Sequence, residues 1–552
     1  MKYGRICLLL LCTLLLFSSC SRGGSPSEHE LPDYLEGKDF SSHLEISIAY
    51  WDIEDMAALP QADAIQACIE KLLNITIKPI SVSWTNYKDY YQMLDATDNL
   101  PDVFANVTIS SNDSNDSAIY EEYISSGSIR ALPDDLSEYP NLSRIFDEVP
   151  SIRYRDGKFY AIPRITFTDS VLSSTDAAML VRRDWMNSLG ISDPRNLEEF
   201  AAMCSAFARE DPDGNGLDDT IGYNVNNRVA LGKWLILGIA PECNTYNWVE
   251  AEDGSYVPSW TTEAFEQVVT AYRMLYDCQG LDPDFYVKTP DTVLEDFASG
   301  RLGALEYKSS AGSISELLRK WNLYNDQPFE DCVDVLHIFQ APDGNCYSNS
   351  SSLFWSESFL SSSVDDEKLE RILCLYEFLL SEEGLRLTKY GIEGEDYQVN
   401  ADGECESLIS SDTKSHALVL KDKYPSIALF VNLANIGGSW SDFENTPINV
   451  ARYGKHCVEL ANKDLLWNQE HTIQVERPYD FLLFPKENSS HFSTGDAFDS
   501  FVKCIIGSED PLIMWQDFLE SCREEGLEEY ISRQNQLYRD HQRIMDSLQE
   551  ES

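Results

Sequence analysis

Residues 211–219 read Asp-Pro-Asp-Gly-Asn-Gly-Leu-Asp-Asp, with oxygen-bearing side chains at alternate positions. Hard Ca²⁺ takes about six to eight oxygens, and a tight loop can aim alternate residues inward. In an EF-hand-like loop the first, third, fifth, seventh and ninth positions donate, with Gly at the sixth for the sharp turn. Asp211, Asp213, Asn215, the main-chain carbonyl of Leu217 and Asp219 fall on those positions, and Gly216 on the turn. The twelfth position is Gly222, so no bidentate carboxylate closes the ring there. Such a site is weak, and its chemistry is to hold a loop rather than to catalyse. The competing reading is a metal-free Asx/Gly turn between a helix and a strand.

A second set of residues could hold a polar, ring-shaped solute. Aromatic rings stack on the apolar faces of pyranoses while polar groups bond their hydroxyls. The chain has 11 Trp and 28 Tyr. Trp51 and Asp52 follow the first strand, Asn106 follows Val103-Phe104, and Glu306 and Tyr307 follow the apolar Leu302–Leu305. Trp355 and Trp440 sit in the Ser- and Gly-rich stretches SLFWSES and GGSWSD, which read as loops. Arg164, after Ile162-Pro163, could meet an acidic sugar. For each of these, ordinary packing or exposure is the competing reading. Trp185 and Trp515, at helical spacing among apolar residues, are assigned to the core.

Catalytic motifs do not emerge. No G-x-S-x-G elbow, H-E-x-x-H pair or Gly-rich phosphate loop is present, and the eight His are scattered. With 93 acidic residues, carboxylate pairs of the glycosidase kind arise by chance and carry little information. A net charge of −51 excludes nucleic acid as a partner, since phosphate binding needs clustered Lys and Arg. The same charge keeps the surface solvated and self-repelling. Of 14 Cys, Cys7 and Cys12 lie in the apolar leader and Cys20 at its end. The remaining eleven are an odd number without a C-x-x-C pair, and several fall on apolar helix faces as small hydrophobes.

The elements that must position these groups follow from periodicity. Lys2 and Arg5 precede an apolar run, Ile6 to Phe17, then Ser18-Ser19-Cys20. The run is shorter than the ~20 residues of a membrane span, so it reads as an export signal, residues 1–20. Cys20 resembles the lipidated Cys of a lipoprotein lipobox, with Phe17 in place of the usual Leu. Residues 21–43 are polar and rich in Ser, Gly and Pro, the composition of a flexible tether. Strand patterns at 44–50, 75–80 and 100–104 alternate with helical patterns through Ile65–Leu73 and Tyr87–Leu94, which predicts a mostly parallel sheet flanked by helices. Asn196 with Glu199 gives a capping-box pattern, Thr262 precedes another amphipathic helix, and the tail from Asp510 to about Gln549 is helical.

Several stretches together carry a resemblance. They are Leu100–Phe104 (LPDVF), Asp156–Pro163 (DGKFYAIP), Val181–Trp185 (VRRDW), Asn196–Phe200 (NLEEF), Asp211–Gly216 (DPDGNG), Phe297–Gly303 (FASGRLG) and Gly391–Gly394 (GIEG). In this order, over roughly residues 44–540, the chain resembles family 1 extracellular solute-binding proteins, in the lipoprotein subgroup that includes alginate-oligosaccharide receptors. The resemblance implies an α/β fold of the two-lobed periplasmic-binding-protein type II, each lobe a mostly parallel sheet flanked by helices, with a hinged ligand cleft between. It places strand crossings near Tyr160–Phe167, Gly303–Tyr307 and 425–440. The N-terminal lobe is then 44–162 plus 306–430, and the C-terminal lobe 163–305 plus 431–552. It implies an oligosaccharide ligand, an ABC permease partner, a lipid anchor at the outer face of a bacterial cell membrane, a monomer and no catalysis. The relatives use the loop at 211–219 as a structural calcium site, but Thr220 stands where they have a Glu ligand. The alternatives are a secreted glycoside hydrolase and a ligand-sensing receptor on the same fold.

Overall fold

The computed structural model describes residues 32–551 except 110–113, 150–151, 227–230, 244–247, 352, 411–413, 476–480, 482–491 and 493. The export signal, Cys20 and tether residues 21–31 lie outside the described residues.

Ten strands build two sheets: β1 (Leu44–Trp51), β2 (Ile75–Val82), β3 (Val103–Asn106), β4 (Ala161–Phe167), β5 (Ala178–Arg182), β6 (Ile221–Val225), β7 (Leu302–Tyr307), β8 (Val333–Leu336), β9 (Phe354–Leu360) and β10 (Asn435–Gly438). The first sheet has the order β10-β4-β9-β3-β1-β2. Only β9 runs against the rest, pairing antiparallel with both β3 and β4. The second sheet has the order β8-β5-β7-β6, and here only β5 is reversed. Each sheet is therefore a parallel set with one reversed strand, which confirms the expected α/β class.

Local sequence explains the elements. In β1, Ile46 and Ile48 are fully buried, and helix Ala64–Leu73 buries Ile65, Ile69 and Leu73 against the same core. Asp63 caps that helix by accepting from the N–H groups of Ile65 and Gln66. Asn196 caps helix Leu197–Arg209 through the Glu199 N–H, but the Glu199 carboxylate turns to the Arg195 N–H instead of closing a full box. The tail forms two helices, Pro511–Glu524 and Leu527–Glu551, parted at Gly526, whose φ of +98° no side chain-bearing residue adopts easily. Trp185 and Trp515 are buried as expected.

The two sheets have separate cores. One cluster joins Ile48, Phe104, Ile162 and Phe359 to Leu373 and Phe430. The second sheet is covered on both faces: Met179, Val181 and Ala304 point into one cluster, while Leu180, Leu302 and Leu305 point into another. Chain passage between lobes is visible in β4, where Ile165 belongs to the first core and Phe167 to a second-lobe core.

Three expectations need correction. Residues 306–336 belong to the second lobe, not the first, because β8 pairs with β5 and the fully buried Trp321 on helix Ala311–Tyr324 packs there. The second crossing lies at 349–354, where the chain enters β9, rather than at 303–307. Residues 32–43 are docked on the first lobe, not free: Leu35 is fully buried, and the Arg371 guanidinium donates to the carbonyls of Asp39 and Ser42. All eleven cysteines from Cys68 to Cys522 are unpaired thiols.

Candidate ligand site at the edge between the lobes

Because β4 leaves the first lobe at its C-terminal end, the carboxyl ends of all strands parallel to it face the second lobe. Ligands of α/β folds bind outside such ends. Trp51 ends β1 and sits in an aromatic group: its ring centroid is 4.9 Å from Trp84, 5.2 Å from Tyr87 and 6.0 Å from Trp355. Trp84 and Trp355 meet edge to face at 5.7 Å. Trp51 is 3 % exposed, whereas Trp84 and Trp355 are half-buried and offer ring surface. Trp355 does not lie in a loop as its Ser-rich surroundings suggest; it is in β9, which enters from the second lobe.

Arg164 of β4 stands beneath this group. Its guanidinium lies 4.2 Å from the Trp355 ring centroid and 5.7 Å from that of Tyr50. The side chain is 2 % exposed, and one terminal nitrogen donates to Asn432 Oδ1 at 2.7 Å. Nε and the other terminal nitrogen are buried and have no partner. Burial lowers the guanidinium's affinity for its proton, and the nearby Tyr50, Asp52 and Glu357 restore part of it. Asp52 is exposed, with φ of +59°, a left-handed turn that Asp tolerates and that ends the strand.

Asn106 ends β3 opposite Glu357 on β9. Glu357 Oε1 accepts from the N–H groups of Thr108 and Ile109 at 2.5 and 3.1 Å and from the Thr108 hydroxyl at 2.8 Å. Burial pushes its carboxyl up to about 7 despite those bonds.

The remaining expected residues go elsewhere. Glu306 and Tyr307 end β7 on the facing edge of the second lobe, but their side chains turn into that lobe. The Glu306 carboxylate accepts from the N–H groups of Trp234 and Leu235 and from the Tyr223 hydroxyl, so it caps helix Lys233–Leu237. Burial pushes it up to about 7. Tyr307 is half-buried against the core beside helix Ala311–Tyr324. Trp440 has a core to join: it packs against the same cluster, and its Nε1 donates to Asp169 at 3.1 Å. The structure thus brings Trp51, Asp52, Asn106, Arg164 and Trp355 to one edge and leaves Glu306, Tyr307 and Trp440 in packing roles.

Sequence reasoning missed Trp84, Tyr87 and Glu357. Trp84 comes just after the end of β2, the same position relative to its strand that singled out Trp51. Glu357 carried no signal, since a Glu among serines reads as exposed.

In the loop at 211–219 the donors are all hard oxygens. Asn215 Nδ2 donates to Asp213 Oδ2 at 2.8 Å and to Asp219 Oδ1 at 3.2 Å, and the Gly216 N–H donates to Asp211 Oδ2 at 3.0 Å. Burial and the adjacent Asp211 and Asp219 carboxylates raise the Asp213 carboxyl. Half a turn of the Asn215 amide replaces its donor with an acceptor facing both carboxylates. Among the described residues, no group of three or more Asp, Glu, His or Cys stands together as a ready metal cage. Thr220 donates to the Phe207 carbonyl at 2.8 Å and ties the loop to the preceding helix.

Among the described residues, no helix is long and apolar enough to cross a membrane. No protein-family model matches the chain. Over 351 residues it is 27% identical to lipoprotein LipO and 26% identical to the polygalacturonan/rhamnogalacturonan-binding protein YtcQ, both of Bacillus subtilis strain 168. Each alignment covers 62% of this chain and 65% of the relative, so the chain spans slightly less than two thirds of the length of the curated relatives it matches. In fold it is similar to the substrate-binding protein FusA of S. pneumoniae, solved as an EF-hand mutant with fructo-nystose. There the TM-score is 0.61 at 17% identity, covering 91% of this chain and 99% of the other. The chain is thus similar in sequence to LipO and to the polygalacturonan/rhamnogalacturonan-binding protein YtcQ, and in fold to the substrate-binding protein FusA.

Proposed function

We propose that the chain is a lipid-anchored receptor at the outer face of the bacterial membrane that binds an oligosaccharide and hands it unaltered to an ABC permease. The observation that carries this is the exposed ring surface of Trp84 and Trp355 above a buried Arg164 with two unpartnered nitrogens, on the edge facing the second lobe. Rings stack on sugar faces, and a guanidinium with free N–H groups donates to a ring oxygen, a hydroxyl oxygen or a uronate carboxylate. The sugar-binding relatives support the ligand class, and LipO's name supports the anchor. The protein acts as a monomer without catalysis, since two lobes must move freely around the guest. Ca²⁺ on Asp211, Asp213, Asn215, Asp219 and the Leu217 carbonyl pins the loop between a helix and β6; the EF-hand of FusA lends this support.

Calorimetric titration with neutral and uronic oligosaccharides of two to five units tests the reading, with product analysis after prolonged incubation. Binding with intact recovery of the sugar is expected. Release of shorter products, or no binding by any member, overturns it.

A further inference from the structure

The geometry points to a second polar pole in the cleft: Glu357 and Asn106 form a subsite that reads the hydroxyls of a neutral sugar unit. This rests on the sugar-binding reading above and names the group that one end of the ligand must present.

Asn106 and Glu357 are direct cross-strand partners of β3 and β9, so their side chains leave the sheet on the same face. They are 0% and 1% exposed. Each is fixed by one half of its head group: Asn106 Oδ1 accepts from the Val107 N–H at 2.9 Å, and Glu357 Oε1 takes the three bonds from Thr108 and Ile109. The other halves, Asn106 Nδ2 and Glu357 Oε2, have no partner. So does the buried hydroxyl of Tyr120, whose ring stacks on Phe359 two residues further along β9 at 5.6 Å. Burying a polar atom without a partner costs about 1–3 kcal/mol, so native folds keep few of them. Here an amide donor and a carboxylate acceptor stand unpartnered side by side, which is the complement of hydroxyls that both donate and accept.

The placement fits a ligand rather than a structural defect. Ala49 of β1 faces Phe104 of β3. Trp51 and Asn106 lie two residues beyond those partners, so Trp51, Asn106 and Glu357 form one row across the sheet. Ring, amide and carboxyl thus meet at the carboxyl ends of the strands. The carboxyl also selects. The charge that most strongly faces Glu357 is Asp116, an acid itself paired with Lys88. A uronate carboxylate here meets the Glu357 carboxyl, whereas Arg164, against the Trp355 ring, can donate to it. The site therefore has a hydroxyl-reading end and an anion-tolerant end, and it orients its guest.

The test is calorimetric titration of the same panel against wild type, Asn106→Ala, Glu357→Ala, the isosteric Glu357→Gln and Trp355→Ala, with melting temperature recorded for each. Asn106→Ala and Glu357→Ala should weaken sugars carrying a neutral unit at one end by about tenfold or more. Glu357→Gln should lose less, because its oxygen keeps the bonds from Thr108 and Ile109 while its amide nitrogen can donate to a hydroxyl oxygen where Oε2 accepted. The melting temperature of Glu357→Gln should stay at or above that of wild type. If Trp355→Ala weakens binding while Asn106→Ala and Glu357→Gln bind within twofold of wild type, the subsite is refuted and the sugar-binding reading stands. If no panel member binds wild type, the reading fails and the subsite with it.

Discussion

Replacing Arg164 by Met separates binding from folding. The substitution keeps most of the bulk and removes the charge. On the folding side it deletes the 2.7 Å bond to Asn432, about 2 kcal/mol for a charged donor, and the stack on Trp355, about 1 kcal/mol. Against this, it removes two buried nitrogens without partners, each costing about 1–3 kcal/mol. Asn432 is only half-buried, so water takes over its oxygen. The terms nearly cancel, and stability in urea should stay within about 2 kcal/mol of wild type. Binding should not survive. Two charge-assisted bonds to the ligand are worth roughly 3–6 kcal/mol, or about a hundred- to ten-thousandfold in Kd. Denaturant unfolding followed by circular dichroism and calorimetry with the tightest panel sugar give both numbers. A stability loss above about 4 kcal/mol with affinity changed less than threefold would show that the guanidinium is a structural strut, and the argument from its unpartnered nitrogens would fail.

Trp84→Ala and Trp355→Ala should weaken sugar binding while melting near wild type, whereas Trp51→Ala should also cost about 3–5 kcal/mol of stability because the ring is buried among four others; calorimetry with thermal melts distinguishes them. Glu306→Gln should stabilise the protein more at pH 8 than at pH 5. The folded carboxyl holds its proton up to about 7 and the unfolded one only to about 4.5. Wild-type stability from this group is therefore complete below pH 4.5 and lost as pH rises to 7, up to about 3 kcal/mol, while Gln does not titrate; equal Tm differences at both pH values refute it. Millimolar Ca²⁺ should raise the Tm of wild type and leave Asp213→Ala unmoved, and no shift in wild type removes the metal from the loop.

Much of the architecture was legible because its signals are local. The alternation in 44–50 and the 3.6-residue spacing of Ile65, Ile69 and Leu73 each determine an element without reference to the rest of the chain. Lobe membership is not local. The apolar pattern of 302–336 is the same whichever sheet receives it, and only the pairing of Val333–Leu336 with β5 decides. Strand β9 was hidden because Ser356 and Ser358 look like loop residues, yet both are buried where small side chains let neighbouring elements pack closely. Trp51 and Asn106 could be placed at strand ends because such ends follow from topology. Glu306 was placed at the right edge but given the wrong role, since sequence does not say whether a carboxylate faces outward or caps a buried helix.

Strand β9 joins the second lobe to the first and also carries Trp355 and Glu357, while β4 makes the outward passage and carries Arg164. Two of the passages between the lobes thus carry residues of the candidate ligand site. Any rotation of one lobe against the other drags the Trp355 ring and the Arg164 guanidinium with it, so on the proposed function occupancy and posture are coupled. A substitution at 349–351 that never meets the guest will still alter how tightly it is held, and a bulkier guest will be felt along the chain as a different angle between the lobes.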